Sequence, residues 1–184
     1  MNAIETKLKG CFILEPVIIT DERGYFFEAF NDKKLEEILG FDPGFVQDNQ
    51  SKSSYGVIRG LHLQKGEFAQ AKLVRVLEGT VLDVAVDARP ESETFGQFVM
   101  VELSAENKRQ LYVPRGFLHG FSVISESATF FYKCDNYYHK LSEEGVHPLD
   151  KTIGINWQIP EGKMILSQKD KELQSFENFK NKLI

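Results

Sequence analysis

From Pro43 to Cys134 the chain is a succession of short apolar runs cut by polar turns. That pattern constrains the fold more than any other feature. Leu73–Leu77, Val81–Val86, Phe98–Leu103, Gln110–Val113, Phe117–Ile124 and Ala128–Cys134 are of strand length and too short for typical helices. Glu78-Gly79-Thr80 reads as the turn of a hairpin. Ser104–Arg109 separates the next two runs, and Ser125-Glu126-Ser127 joins a further pair. Upstream, Phe12–Leu14 and Val17–Ile19 start the pattern, Asp21–Gly24 is a turn, and Tyr25–Phe30 follows as a strand. One helix interrupts: Asn31 or Asp32 caps it, Leu35, Ile38 and Leu39 have helical spacing, and Gly40 suits its C-terminal end. His139–Leu149 is a polar loop, and Asp170–Leu183 is expected as a lid or packing helix with Leu173, Phe176 and Phe179 on one side. About ten short strands with few helices predict a mainly β chain, a sandwich or a closed antiparallel barrel.

Size and composition agree. The 184 residues suit one domain over 1–184, and 12% aromatic content, including fifteen Phe, favours sheets over bundles. The net charge of −5 argues against a nucleic-acid coat or an anionic membrane surface, though not against a local basic pocket. The apolar runs are too short for a transmembrane helix, and Met1–Lys9 lacks the apolar segment of a secretory signal. Cys11 and Cys134 have no metal-like spacing and read as buried reduced thiols, which makes the expected location cytoplasmic.

The chemistry concentrates in three places. In Arg59-Gly60-Leu61-His62-Leu63-Gln64, alternation puts His62 and Gln64 on one face, with Lys72 expected near the mouth of that face. In Pro114–Phe121, His119 stands beside Gly120 and after Gly116, a sign of close backbone approach. In Phe130–Tyr138, Tyr132 and Cys134 share a face. A single strand histidine reads equally as a core residue satisfied by a neighbour, and Lys72 as a solvated lysine. The two histidine patches have the shape of metal-binding cupin motifs, yet Gln64 stands where such sites carry a second histidine. A neutral amide is a poor ligand beside His62, Glu67 and His119, so no metal is expected. Among the scattered polar residues Arg23, Glu28, Gln47, Asn49 and Arg59, the arginines could join Lys72 in an anion site. There is no Walker loop and no Gly-x-Gly-x-x-Gly, which disfavours a nucleoside triphosphate or NAD site.

Together, Asp21–Phe26, Val46–Ser53, Arg59–Gln64, Phe95–Gln97, Leu103–Asn107, Pro114–Phe121, Tyr132–Lys133 with Asn136–Tyr138, and Ile153–Trp157 resemble the dTDP-4-dehydrorhamnose 3,5-epimerase family. The resemblance runs in order along nearly the whole chain. It implies a cupin-type jelly-roll β-barrel, no metal or organic cofactor, a homodimer, and a dTDP-linked 4-keto-6-deoxy sugar as substrate. It implies His62 as base, Asp170 as its orienting carboxylate and Tyr132 as acid. It implies contacts to the nucleotide sugar from Arg23, Glu28, Gln47, Asn49, Arg59, Lys72, His119, Glu143 and Lys169. Pro148 stands where many members have Trp.

The implied chemistry explains the residue types. A C4 ketone acidifies the C3 and C5 hydrogens, so the site needs a near-neutral base and a positive group at the C4 oxygen, tasks suited to His62 and Lys72. Inversion needs a proton from the opposite face, hence Tyr132. Asp83, in an apolar strand, is a partner for His119 if buried. Tyr137, Tyr138 and Phe26 are candidates for stacking on a thymine or a sugar. Other enzymes of one class fit the same motifs: epimerases of one carbon and ketoisomerases. A non-catalytic cupin binding protein is the remaining alternative.

Overall fold

The computed structural model describes residues 1–183. Its elements run β1 (Asn2–Glu5), β2 (Phe12–Glu15), β3 (Ile19–Asp21), β4 (Gly24–Phe26), α1 (Asp32–Leu39), β5 (Gln47–Ser54), β6 (Ile58–Gln64), β7 (Lys72–Glu78) and β8 (Thr80–Asp87). They continue with β9 (Phe98–Ser104), β10 (Gln110–Val113), β11 (Phe117–Val123), β12 (Ser127–Cys134), β13 (Glu143–Gly145), α2 (Gln168–Lys171) and α3 (Phe176–Asn181). A six-stranded sheet of order β1-β2-β10-β7-β12-β5 faces a five-stranded sheet of order β13-β6-β11-β8-β9. Strands β5 to β12 form a jelly roll, four in each sheet.

This order corrects the expected hairpin. Glu78-Gly79-Thr80 does not join paired strands: β7 lies between β10 and β12, whereas β8 lies between β11 and β9 in the other sheet. The turns after β9 and β11 likewise cross between sheets. Of consecutive strands within the jelly roll, β8 and β9 pair, from Thr80↔Ser104 to Val86↔Phe98. A short polar turn with glycine signals a reversal, but long-range neighbours decide whether the chain returns in the same sheet. Gly79, at φ +77°, makes the corner where a side chain would run into the Ser127 carbonyl.

Three apolar clusters follow from the alternation. Val74, Val76 and Phe130 meet Val81, Leu103 and Phe121 between the sheets. Leu61, Val84, Val86 and Leu118 point outward from the five-stranded sheet and are covered by Val146, Trp157, Phe176 and Phe179. Strands β8 and β11 are thus buried on both faces, which is why they read as nearly unbroken apolar runs. On the outer side of the six-stranded sheet, Leu14, Leu73 and Tyr112 pack with Leu35 of α1. Asn31 caps that helix by accepting from the Lys34 amide, and Gly40 ends it at φ 79°, as the sequence predicts.

Three element boundaries differ from expectation. The apolar run Val17–Ile19 enters a strand only at Ile19, which pairs with Phe26 in a two-stranded sheet apart from that of Phe12–Glu15. The Tyr25 strand stops at Phe26; Phe27 and Phe30 instead lie under the charged ends of Arg75 and Lys133. The C-terminal helix is two helices, each started by a serine cap: Ser167 accepts from the Asp170 amide and Ser175 from the Asn178 amide. Phe176 and Phe179 are buried, so α3 packs against the sheet and is no lid. Cys11 and Cys134 are free and buried, as expected, and burial pushes their thiols up to about 12 and about 11.

Candidate active site

A cavity of about 330 Å³ opens between the sheets, lined by side chains that include Gln47, Asn49, His62, Lys72, Tyr132 and Tyr138. Its two walls come from the two sheets. Gln47, Asn49, Lys72 and Tyr132 project from β5, β7 and β12; His62 and Gln64 project from β6.

The inward direction of His62 depends on a bulge. Phe121 pairs with Arg59 and His119 with His62, so three steps on β6 match two on β11. Ile58 and Leu61 consequently both face the outer cluster, and the extra residue turns His62 and Gln64 into the cavity. Only glycine fits where the strands approach. Gly60 sits at φ +115°, and a Cβ there would lie 2.6 Å from Gly120 Cα; one on Gly120 would lie 2.5 Å from the Arg59 carbonyl. The glycine beside His119 thus permits the close approach its sequence context suggests.

His62 is partly open, with 24% of its side chain exposed, and its Nε2 lies 2.7 Å from Asp170 Oδ1. The approach is short but not aligned as a hydrogen bond. Burial opposes the Asp170 charge, but His62, with help from the Ser167 hydroxyl and Lys169, holds the carboxyl below its ordinary value. Nε2 being committed to Asp170, Nδ1 is the nitrogen left for substrate. Gly145 pairs with His62 across the β13–β6 ladder, and a Cβ on it would come within 3.1 Å of the imidazole.

On the other wall, burial pushes the Tyr132 phenol up, and the nearby Cys134 thiol adds to this. Tyr132 is therefore a proton carrier at neutral pH. The Lys72 ammonium lies over its ring, 5.8 Å from the centroid, and makes no salt bridge among the described residues. Burial lowers its ammonium pKa, opposed by Cys134, Asp83 and Glu143. A partly desolvated cation of this kind suits a developing oxyanion.

The mouth carries a charged strap. Tyr138 donates to Glu143 at 2.9 Å, and Lys169 pairs with the same carboxylate at 2.6 Å. Burial pushes the Glu143 carboxyl up, but these two partners prevail and hold it low. The Glu143 bond pushes the Tyr138 phenol up. The Tyr138 amide donates to Gln47, and Gln47 donates to Asn49.

The remaining predicted residues lie apart from this cavity lining. Arg59 donates to Ser53 at 3.1 Å and lies close enough to Tyr132 to lower its pKa somewhat. His119 is 7% exposed, with Nε2 at 2.9 and 3.1 Å from the two oxygens of fully buried Asp83, the partnership expected for a carboxylate in that strand. Arg23 is paired with Asp21 on the β3–β4 hairpin beside a separate depression, and Glu28 is paired with Lys34. The expected cluster of Arg23, Arg59 and Lys72 therefore does not assemble within one chain. Phe26 is 68% exposed on the same hairpin, also away from the cavity. Sequence reasoning missed Gln70, which lines the cavity and donates to the Asn136 carbonyl; its place two residues before Lys72 was the available signal. Among the described residues, no three His, Cys, Asp or Glu side chains converge as a metal site.

The sequence profile described as dTDP-4-dehydrorhamnose 3,5-epimerase matches residues 5–178. The enzyme of that name from Escherichia coli K12 is 53% identical over 173 residues, covering 94% of this chain and 93% of its own. The crystal structure of the Elizabethkingia anophelis enzyme superposes with a TM-score of 0.94 at 60% identity, over 97% of each chain. A Legionella pneumophila dTDP-6-deoxy-D-glucose-3,5-epimerase, solved with dTDP-4-keto-L-rhamnose, has a TM-score of 0.94 at 49% identity and covers all of this chain and 96% of its own. Both the profile and the solved structures span the jelly roll, the strap and the Asp170 helix alike, so the chain belongs to the dTDP-4-dehydrorhamnose 3,5-epimerase family.

Proposed function

We propose that this protein is one cupin-type epimerase domain over residues 1–184 that inverts C3 and C5 of a dTDP-4-keto-6-deoxyhexose, converting dTDP-4-dehydro-6-deoxyglucose to dTDP-4-dehydrorhamnose. The observation that carries this reading is the placement of His62 and Tyr132 on opposite walls of one cavity. His62 removes the proton from carbon, and the bonding pair moves into the ring to make an enolate at the C4 oxygen beside Lys72. Tyr132 protonates the same carbon from the other side, then regains a proton from solvent while His62 releases its own. A proton returned by His62 alone would restore the original centre. Asp170 holds the imidazole and favours its charged form. Gln47, Asn49, Arg59, His119, Tyr138, Glu143 and Lys169 contact the nucleotide sugar.

Arg23 and Glu28 belong to this reading through a second copy. Their arm lies away from its own cavity and exposes Val17, Ile19, Tyr25 and Phe26, each more than half exposed. A homodimer that lays this arm on its partner covers the apolar surface and delivers Arg23 and Glu28 to the neighbouring cavity. The reaction needs no cofactor or metal, because Lys72 is the electrophile, and the protein works in the cytoplasm without membrane or nucleic-acid partners. No helix among the described residues is long and apolar enough to cross a membrane.

Incubation with dTDP-4-keto-6-deoxyglucose in deuterium oxide tests the reaction. Deuterium and inversion are expected at both C3 and C5, with turnover insensitive to a chelator. Label at one carbon alone identifies a mono-epimerase, a displaced carbonyl identifies a ketoisomerase, and no label with retained dTDP binding identifies a binding protein.

A further inference from the structure

Gln64 occupies the cavity wall two residues beyond His62, on the same face of β6, and is 5% exposed. Its Oε1 accepts from the His139 backbone amide at 3.0 Å. A backbone amide can only donate, so this bond fixes which end of the side-chain amide is oxygen. Nε2 is therefore the end left to the cavity, with no hydrogen bond to a protein group among the described residues. The orientation is held further by what Gln64 grips: His139 stacks on Phe68 with ring centroids 4.0 Å apart, and its Nδ1 lies 2.8 Å from Ser142 Oγ.

An amide donor that faces the cavity and has no protein acceptor is free to donate to a ligand oxygen, and a side chain already held by its other end loses little freedom in doing so. Successive same-face residues on a strand are about 6.6 Å apart, so a group held against Gln64 lies beside whatever His62 acts on. From these observations we infer that Gln64 is a substrate-binding residue, whose Nε2 donates to an acceptor oxygen of the hexose while Oε1 anchors the strap over the mouth. This rests on the proposed reading of the cavity as a site for a dTDP-linked sugar, and it assigns the amide to the sugar rather than to the nucleotide.

The test compares dTDP with dTDP-glucose, a sugar nucleotide without the reactive ketone, by calorimetry. Gln64→Glu keeps an acceptor for the His139 amide and replaces the donor with a carboxylate that repels an acceptor oxygen. Its affinity for dTDP-glucose is expected to fall by about tenfold or more, and that for dTDP to stay within about twofold. Gln64→Met, neutral and of similar length, is the second variant if Gln64→Glu fails to fold; it loses the strap anchor along with the donor, so dTDP also weakens, but dTDP-glucose should weaken several-fold more. Equal weakening of both ligands would mean that Gln64 acts only through the strap, and unchanged affinity for both would mean that it does not face the sugar; either result overturns the inference. Wild-type protein that binds dTDP but not dTDP-glucose overturns the reading of the site and the inference with it. Wild-type protein that binds both, with variants unaffected, overturns the inference alone.

Discussion

Two histidine–carboxylate pairs stand side by side in this barrel, since His62 and His119 are direct partners in the β6–β11 ladder. They differ in what surrounds them. His119 Nε2 reaches both oxygens of Asp83, and both residues are buried. His62 meets one oxygen of Asp170 off axis, and a quarter of its side chain is open to the cavity. A closed, doubly held pair is suited to fixing a ring in place, for strand register and for a contact to the nucleotide sugar; an open pair with a free ring nitrogen is suited to moving a proton. The carboxylates also come from different sources. Asp83 is on β8, adjacent to β11 in the sheet, while Asp170 arrives on a helical turn remote in sequence.

The sharpest test of the contrast is His62→Ala, expected to abolish proton exchange and inversion together, a loss of about a thousandfold or more. Persistent wash-in of solvent deuterium would show that the open pair does not contain the base. Tyr132→Phe is expected to slow inversion by about a hundredfold while exchange with retained configuration continues, because His62 and Lys72 are untouched. Inversion at the wild-type rate would remove Tyr132 from the role of acid and pass it to Tyr138. Asp170→Asn should reduce kcat by about tenfold, because the imidazolium formed on proton capture loses the carboxylate that faces it. Asp83→Asn should change turnover less than Asp170→Asn but cost about 1–3 kcal/mol of stability in denaturant unfolding, because it weakens a fully buried pairing. If Asp83→Asn slows turnover more than Asp170→Asn does, the two pairs have been assigned the wrong way round.

The same contrast marks where the amino-acid sequence was legible. The strand lengths, the capped helix α1, the motif residues and the Asp83–His119 pairing followed from local patterns. The three short turns gave no sign that they were corners between sheets, because Glu78-Gly79-Thr80 has the chemistry of a hairpin turn wherever its flanking strands find partners. Leu173, Phe176 and Phe179 keep the spacing of one helix across a stretch where Ser175 caps a new one, so the local pattern hides the break. Within the site, alternation correctly put His62 with Gln64, but not the direction in which that face points. The bulge beside Gly60 settled it, at a point where β6 and β11 approach too closely for any side chain on Gly60 or Gly120.

By itself the sequence determined the inventory: apolar runs too short for helices, glycines where backbone must crowd, and a base, a cation and a phenol spread over β6, β7 and β12. Tertiary structure alone decided that His62 and Tyr132 look at each other across a cavity and that Asp170 reaches His62 from the far end of the chain. It also decided that Arg23 and Glu28 stay outside their own cavity. The physical reason is that local propensity depends on neighbours a few residues away, whereas the facing of two walls depends on which strands share a sheet. That pairing is fixed by burying both faces of β8 and β11, a condition satisfied only when distant segments close over them.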